Sequence, residues 1–169
     1  MKKILIFIND FEYFISHKYD VLKKLDKKKF RFEIYSPNKK NFSKSNFKFK
    51  SYFIRSMSKN IFFEIYTFFN MFWIILKKRN YIFQYYTIKP ILYGAIISKI
   101  LGIKKNFFIF SGLGHYVCNN KVFLGKVITK ILKYFLLSKK YFFLFQNKND
   151  VHKLKKNKII NSNKIFFSL

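Results

Sequence analysis

The sequence predicts an α/β fold, a parallel sheet flanked by helices, and three observations predict it. Short, continuously apolar and aromatic runs recur at strand length, the pattern of strands buried on both faces. Stretches with helical spacing separate those runs. The span from Tyr81 to Tyr116, YIFQYYTIKPILYGAIISKILGIKKNFFIFSGLGHY, reads in one piece as strand, turn, helix, strand and glycine loop. Two strands joined by a crossover helix of that length make a right-handed parallel βαβ unit. Ligands of such sheets bind beyond the carboxyl ends of the strands. Thr87 with Lys89, and Ser111, Gly112, Gly114 and His115, fall at that edge.

The 169 residues are expected to form one domain, 1–169, which would bury roughly two thirds of its unfolded surface. Lys3 to Ile8 predicts the first strand. Its apolar run breaks at Asn9-Asp10 with no small-residue cleavage site behind it, which argues against a signal peptide. Asn9 to Glu12 is the loop at the strand's carboxyl end. A helix is expected from about Ser16 to Lys27, with His17 at its start and Val21, Leu22 and Leu25 inward. Phe30 to Tyr35 predicts strand two, ended by Ser36-Pro37-Asn38, and the alternation over Phe47 to Ile54 predicts a third, edge-type strand. Ile61 to Leu76 has helical length. It falls short of the about 20 apolar residues of a membrane span and is interrupted by Glu64 and Asn70. Two readings stand for it: a helix covering the sheet, with Glu64, Thr67 and Asn70 as its polar stripe, or a helix docked into a membrane interface at Trp73 and Lys77-Lys78-Arg79.

Pro90 sits where a first helical turn tolerates it. Ile91, Leu92, Ala95, Ile96, Ile100 and Leu101 then keep helical spacing until Gly102, and Asn106 to Phe110 predicts the next strand. Lys121 to Lys140 predicts an amphipathic helix. Its apolar side is Val122, Val127, Ile128, Ile131, Leu132, Phe135 and Leu136, opposite Lys126, Lys130, Lys133 and Lys140. Tyr141 to Phe145 predicts a strand, Asp150 to Lys156 a short helix and Lys164 to Phe167 a last strand. The whole order describes a Rossmann-like sheet.

The net charge is +28, from 35 basic against 7 acidic residues. Anionic partners (membrane lipid, phosphate groups, nucleic acid) would produce such a balance. So would A/T-rich codon usage, which inflates Lys, Asn, Ile, Phe and Tyr. Only Arg31, Arg55 and Arg79 are arginines, the residue suited to bidentate phosphate recognition. At least half of the lysine excess is therefore read as compositional. One cysteine, Cys118, excludes an intramolecular disulfide and a cysteine-rich metal site, and fits a reducing cytoplasm.

The sequence has no GxxxxGK[ST], full GxGxxG or HExxH motif and no cysteine pair, so no metal site and no cofactor is expected. What remains are single residues at strand ends. Gly112 and Gly114 would let a ligand approach the backbone, or merely form a turn. Asp10 could position or deprotonate a hydroxyl, or form a turn. His17 could act catalytically or end a helix, and His115 could hydrogen-bond a ligand or be solvated. Lys89, near a helix N-terminus, suits phosphate, though it could equally be a surface lysine. His152 and Cys118 read as structural or incidental.

Taken in order, these segments resemble the N-terminal domain of family 4-like glycosyltransferases. KKILIFIND with FEYFISHKYDVLKKL is similar to the family's first strand and F-x-x-H helix, placing His17 on the histidine. YYTIKPILYGAIISKILGI matches a T-x-K-P-x-x-x-G segment at Thr87, Lys89, Pro90 and Gly94. FSGLGHY matches a G-L-G loop at Gly112, Leu113 and Gly114, and FLFQNKND an F-Q-N-x-x-D segment at Phe145, Gln146, Asn147 and Asp150. The resemblance implies the acceptor-binding half of a two-Rossmann (GT-B) enzyme. Such an enzyme transfers sugar with retention and without a metal bound by Asp-x-Asp.

On that resemblance Asp10, His17 and His115 are candidate catalytic residues, and Asn9, Thr87, Lys89, Ser111, Gly112 and Gly114 candidate acceptor-binding ones. The acceptor is expected to be a polyprenyl-diphosphate saccharide of surface polysaccharide synthesis, met at the inner face of the cytoplasmic membrane. The nucleotide-sugar donor would bind a second half, absent from these 169 residues. A truncated or split enzyme is thus expected, inactive alone, with a separate donor-binding subunit as one possible partner and an anionic membrane surface as another. The competing expectation is a basic, non-enzymatic module on nucleic acid or anionic membrane. Against nucleic acid, the aromatics lie mostly within strand and helix runs, with no nucleic-acid-binding fingerprint.

Overall fold

Apolar, β-branched and aromatic runs pair side by side because their backbone groups must bond and both their faces must be covered. The computed structural model describes residues 1–25, 28–37, 47–51, 60–112, 123–136, 141–160 and 165–167. In chain order the elements are β1 (Lys2–Phe7), α1 (Phe11–His17), α2 (Tyr19–Lys23), β2 (Phe30–Ser36), β3 (Phe47–Ser51), α3 (Ile61–Lys77), β4 (Ile82–Tyr86), α4 (Ile88–Ile100), β5 (Asn106–Phe110), α5 (Phe123–Leu136), β6 (Phe142–Phe145), α6 (Lys148–Lys156) and β7 (Ile165–Phe167). The strands form one parallel sheet in the order β3-β2-β1-β4-β5-β6-β7. This is the predicted α/β class. The chain divides into two compact units, Met1–Gln84 and Tyr85–Leu169, with the boundary inside β4.

In the first unit β1 pairs with β2 from Lys2↔Phe30 to Phe7↔Tyr35, and β2 with β3 from Phe32↔Phe47 to Ser36↔Ser51. Leu5, Ile6, Phe7 and Ile34 are fully buried. β3 takes the end position of the order; residues 52–54, also expected to be strand, lie outside the described residues. The helix after β1 differs from expectation. It begins at Phe11, because Asp10 caps it by accepting from the Tyr13 N–H at 3.1 Å. Phe11 and Phe14 then meet Phe49 edge-on at 5.5 and 6.1 Å. The helix breaks at Lys18, and the second short helix buries Tyr19 and Leu22. The break resets the phase, so Val21 and Leu25 are exposed rather than inward.

α3 also differs in orientation. Its buried stripe is Thr67, Met71 and Ile75, one residue per turn. Thr67 can be buried because its hydroxyl donates to the Phe63 carbonyl at 2.7 Å. Of the expected polar stripe Thr67 is therefore buried and Glu64 and Asn70 half-buried, whereas Phe62, Ile65, Phe69 and Trp73 face water.

In the second unit β5 pairs with β6 from Phe107↔Phe142 to Phe110↔Phe145, and β6 with β7 from Phe143↔Ile165. Rings stack along the ladder, as with Phe110 and Phe145 at 4.8 Å. α4 buries Pro90, Ile91, Gly94, Ala95, Ile97 and Ser98, whereas Ile100, expected on the apolar stripe, is exposed. The stripe includes small and polar positions for a reason. Tyr85, fully buried, lies flat against Gly94, where a Cβ would come within 2.7 Å of its Cζ. Its hydroxyl bonds Ser98 Oγ at 3.1 Å, and Ser98 Oγ donates to Asn106 Oδ1 at 3.1 Å. Asn106 Nδ2 donates to the Ile103 carbonyl at 2.8 Å, which closes the network. Such burial pushes the Tyr85 phenol's pKa far up, so it is a donor at any working pH. α4 stops where Gly102 takes φ +66°. In α5, Leu132 and Leu136 are buried and Lys126, Lys130 and Lys133 exposed, as expected, although Val127 also faces outward.

Candidate functional site

A parallel strand ends with its last carbonyl and the loop into the next helix, so polar residues collect at carboxyl ends. In the second unit three neighbouring strands end this way: β4 at Tyr86, β5 at Phe110 and β6 at Phe145. Level ends follow from the stacking of Tyr85 on Phe108 at 5.2 Å and the pairing of Phe110 with Phe145. The ladder runs on past β6, since the Gln146 N–H donates to the Phe110 carbonyl at 3.2 Å. Thr87, Lys89, Ser111, Gly112, Gln146 and Asn147 therefore follow one edge of that unit.

Thr87 stands at φ +67°, ψ +160°, a conformation costly for a β-branched residue. Its hydroxyl donates back to the Tyr86 carbonyl and makes no capping bond to α4. Lys89 and Pro90 form the first turn of α4, half-buried and buried respectively. The positive end of the helix dipole and an ammonium group thus lie within one turn, an arrangement suited to a diphosphate. Ser111 is half-buried, and Gly112 has φ +156° with nothing described within 4 Å of where a Cβ would stand. The glycine there answers to backbone angle. Asn147 caps α6 by accepting from the Asn149 N–H at 2.9 Å. Gly114 and His115 lie outside the described residues.

The first unit has its own strand-end edge. The Ile8 N–H donates to the Tyr35 carbonyl at 3.1 Å, and Asn9 and Asp10 follow. One oxygen of Asp10 is engaged in capping α1. His17 is not at a helix start but at the last position of α1, about 10 Å along the axis from Asp10. There it is exposed, stacked on Tyr13 at 4.7 Å, with Nδ1 2.7 Å from Ser16 Oγ. Asn9 and Asp10 are adjacent at the strand tip; His17 stands apart from them.

Two features of this unit went unread in the sequence. Ser36, at the carboxyl end of β2, is 2 % exposed with its hydroxyl unpartnered among the described residues. Glu33, mid-strand, holds Lys78, with Lys50 at 3.7 Å and the Tyr81 hydroxyl donating at 3.4 Å. Lys78 also lies 4.9 Å from the Tyr81 ring centre. Nothing local could signal this cluster, because Glu33 and Lys78 are 45 residues apart. Among the described residues no group of three or more His, Cys, Asp or Glu could hold a metal ion.

No protein-family model matches this sequence, and no curated protein matches it either. Among solved structures the chain is similar to the UDP-N-acetylglucosamine 2-epimerase from Rickettsia bellii, at a TM-score of 0.65 and 11 % identity. The similarity covers 99 % of this chain and 44 % of that one, so this chain spans less than half of that protein's length. The likeness shows the fold, a Rossmann-like α/β unit of the GT-B kind.

Proposed function

We propose that this chain is the acceptor-binding half of a glycosyltransferase that moves a sugar from a nucleotide-sugar to a polyprenyl-diphosphate saccharide in surface polysaccharide synthesis. The observation that carries the reading is the strand-end edge of the second unit. Thr87, Lys89, Ser111 and Gly112 follow adjacent parallel strands there, one cation beside a helix N-terminus and one glycine at φ +156°. The fold likeness to an enzyme named for a UDP-sugar supports a sugar-handling role. In this assignment Lys89 and the first turn of α4 take the acceptor's diphosphate, while Thr87, Ser111 and the Gly112 backbone orient the saccharide. As the acceptor oxygen bonds to the donor's anomeric carbon and the nucleoside diphosphate departs, the acceptor's proton passes to a base, the role we give to His115, which follows Ser111 and Gly112 in the sequence. Stabilising that departing charge is the main electrostatic task of the reaction. We assign it to a donor-binding half.

Titrating the chain with a short-chain polyprenyl-diphosphate saccharide in detergent micelles tests the proposal. The unaltered chain is expected to bind, and Lys89→Ala to weaken binding about tenfold, the loss of one charge-assisted contact. Absence of binding, alongside salt-sensitive binding to a nucleic-acid oligomer, would contradict it and favour a basic nucleic-acid module.

A further inference from the structure

α3 turns its most apolar side away from its own unit. Thr67, Met71 and Ile75 are 1 %, 0 % and 0 % exposed, whereas Phe62, Ile65, Phe69 and Trp73 are 76 %, 48 %, 56 % and 57 % exposed. At 3.6 residues per turn these four fall within an arc of about 80°, opposite the buried stripe. Contiguous aromatic surface of this kind is unfavourable in water and marks a face that is covered in use. The chemistry of the cover is set by the carboxyl end of the helix. Lys77 borders a shallow groove with Phe69 and Trp73, and Arg79 is exposed just beyond. Rings that insert and cations that stay at headgroup level match the interface of an anionic bilayer. A second copy of the chain is a poor occupant, because two molecules of net charge +28 repel. No described helix is long and apolar enough to cross a membrane, so α3 would lie in the interface plane.

We propose that α3 is an interfacial anchor that lays Phe62, Ile65, Phe69 and Trp73 into the headgroup region of an anionic lipid surface, with Lys77 and Arg79 against the phosphates. The inference stands on α3 alone and does not depend on sugar transfer. Trp73 is the only tryptophan of the chain, so its emission reports on this face directly. The whole chain would be mixed with vesicles of equal parts phosphatidylglycerol and phosphatidylcholine, and separately with phosphatidylcholine alone. The expected result is a blue shift, and quenching by acyl-brominated lipid, with the anionic vesicles. The double variant Phe62→Ser/Phe69→Ser, with circular dichroism confirming its fold, should lose at least roughly tenfold in vesicle affinity. Co-sedimentation with unchanged Trp73 emission, or undiminished binding by the variant, would overturn the proposal, since lysines elsewhere would then be responsible. A blue shift that grows with protein concentration in the absence of vesicles and is abolished in the variant would overturn it in favour of self-association.

Discussion

Glu33 is the residue whose behaviour depends most on its neighbours. Burial pushes its carboxyl pKa up, but the bond from Lys78, the charges of Lys78 and Lys50 and the Tyr81 hydroxyl outweigh that and hold it below 4.5. A carboxyl lowered in the folded state adds stability that is fully present above its unfolded value. That stability is lost as pH falls through the folded one. The Glu33 contribution should therefore persist at neutral pH and vanish on acidification below about pH 4.5. Urea unfolding of the unaltered chain and Glu33→Gln checks this. The variant should be the less stable at pH 7, and the two midpoints should converge as acidification protonates the carboxyl; a gap independent of pH would contradict the assignment. Thr87 shows the same dependence on surroundings in its backbone. Its φ of +67° could not be read from a Thr codon, since a β-branched residue there is held by what packs around it.

Among the elements, α3 separates what sequence could and could not settle. Its existence follows from seventeen residues of continuous helical length after an Asn60 cap, whose side chain accepts from the Phe62 N–H at 3.0 Å. Its facing does not follow, because a helix apolar on nearly every side carries no stripe to read. The expected polar stripe was turned partly inward through Thr67, whose hydroxyl is satisfied within the helix. The facing is measurable. Met71→Ala should cost about 2–5 kcal/mol of unfolding free energy, the cost of a core truncation. Phe69→Ala on the exposed face should cost about 0.5 kcal/mol or less. Equal costs would mean that both faces are packed. The helix after β1 was misread for a different reason. The spacing puts Phe11 in the loop and Phe14 ahead of the helix expected from about Ser16, yet the Asp10 cap and the edge-on packing on Phe49 start the helix at Phe11. Phe49 lies more than thirty residues away in sequence, so its contribution had no local signature.

At the scale of the whole molecule the strand runs were legible almost residue by residue. β5 spans Asn106–Phe110 as predicted, β1 is shifted by one residue at both ends, and β2, β4 and β6 differ by one residue at one end. Strand runs this apolar leave few alternatives to a covered parallel sheet. The candidate site was legible in part and for the same reason, since parallel strands deliver their loops to a common edge. Thr87, Lys89, Ser111 and Gly112 follow from β4 and β5 in that way. His17 did not, because its position depended on where α1 begins. The most direct measurement is amide chemical-shift mapping of the chain as a soluble polyprenyl-diphosphate saccharide analogue is added. The account predicts saturable shifts centred on Thr87, Lys89, Ser111 and Gly112, absent with the polyprenol alone. Shifts centred on the exposed lysines of α5 and α6 instead, or no saturable shifts, would contradict it.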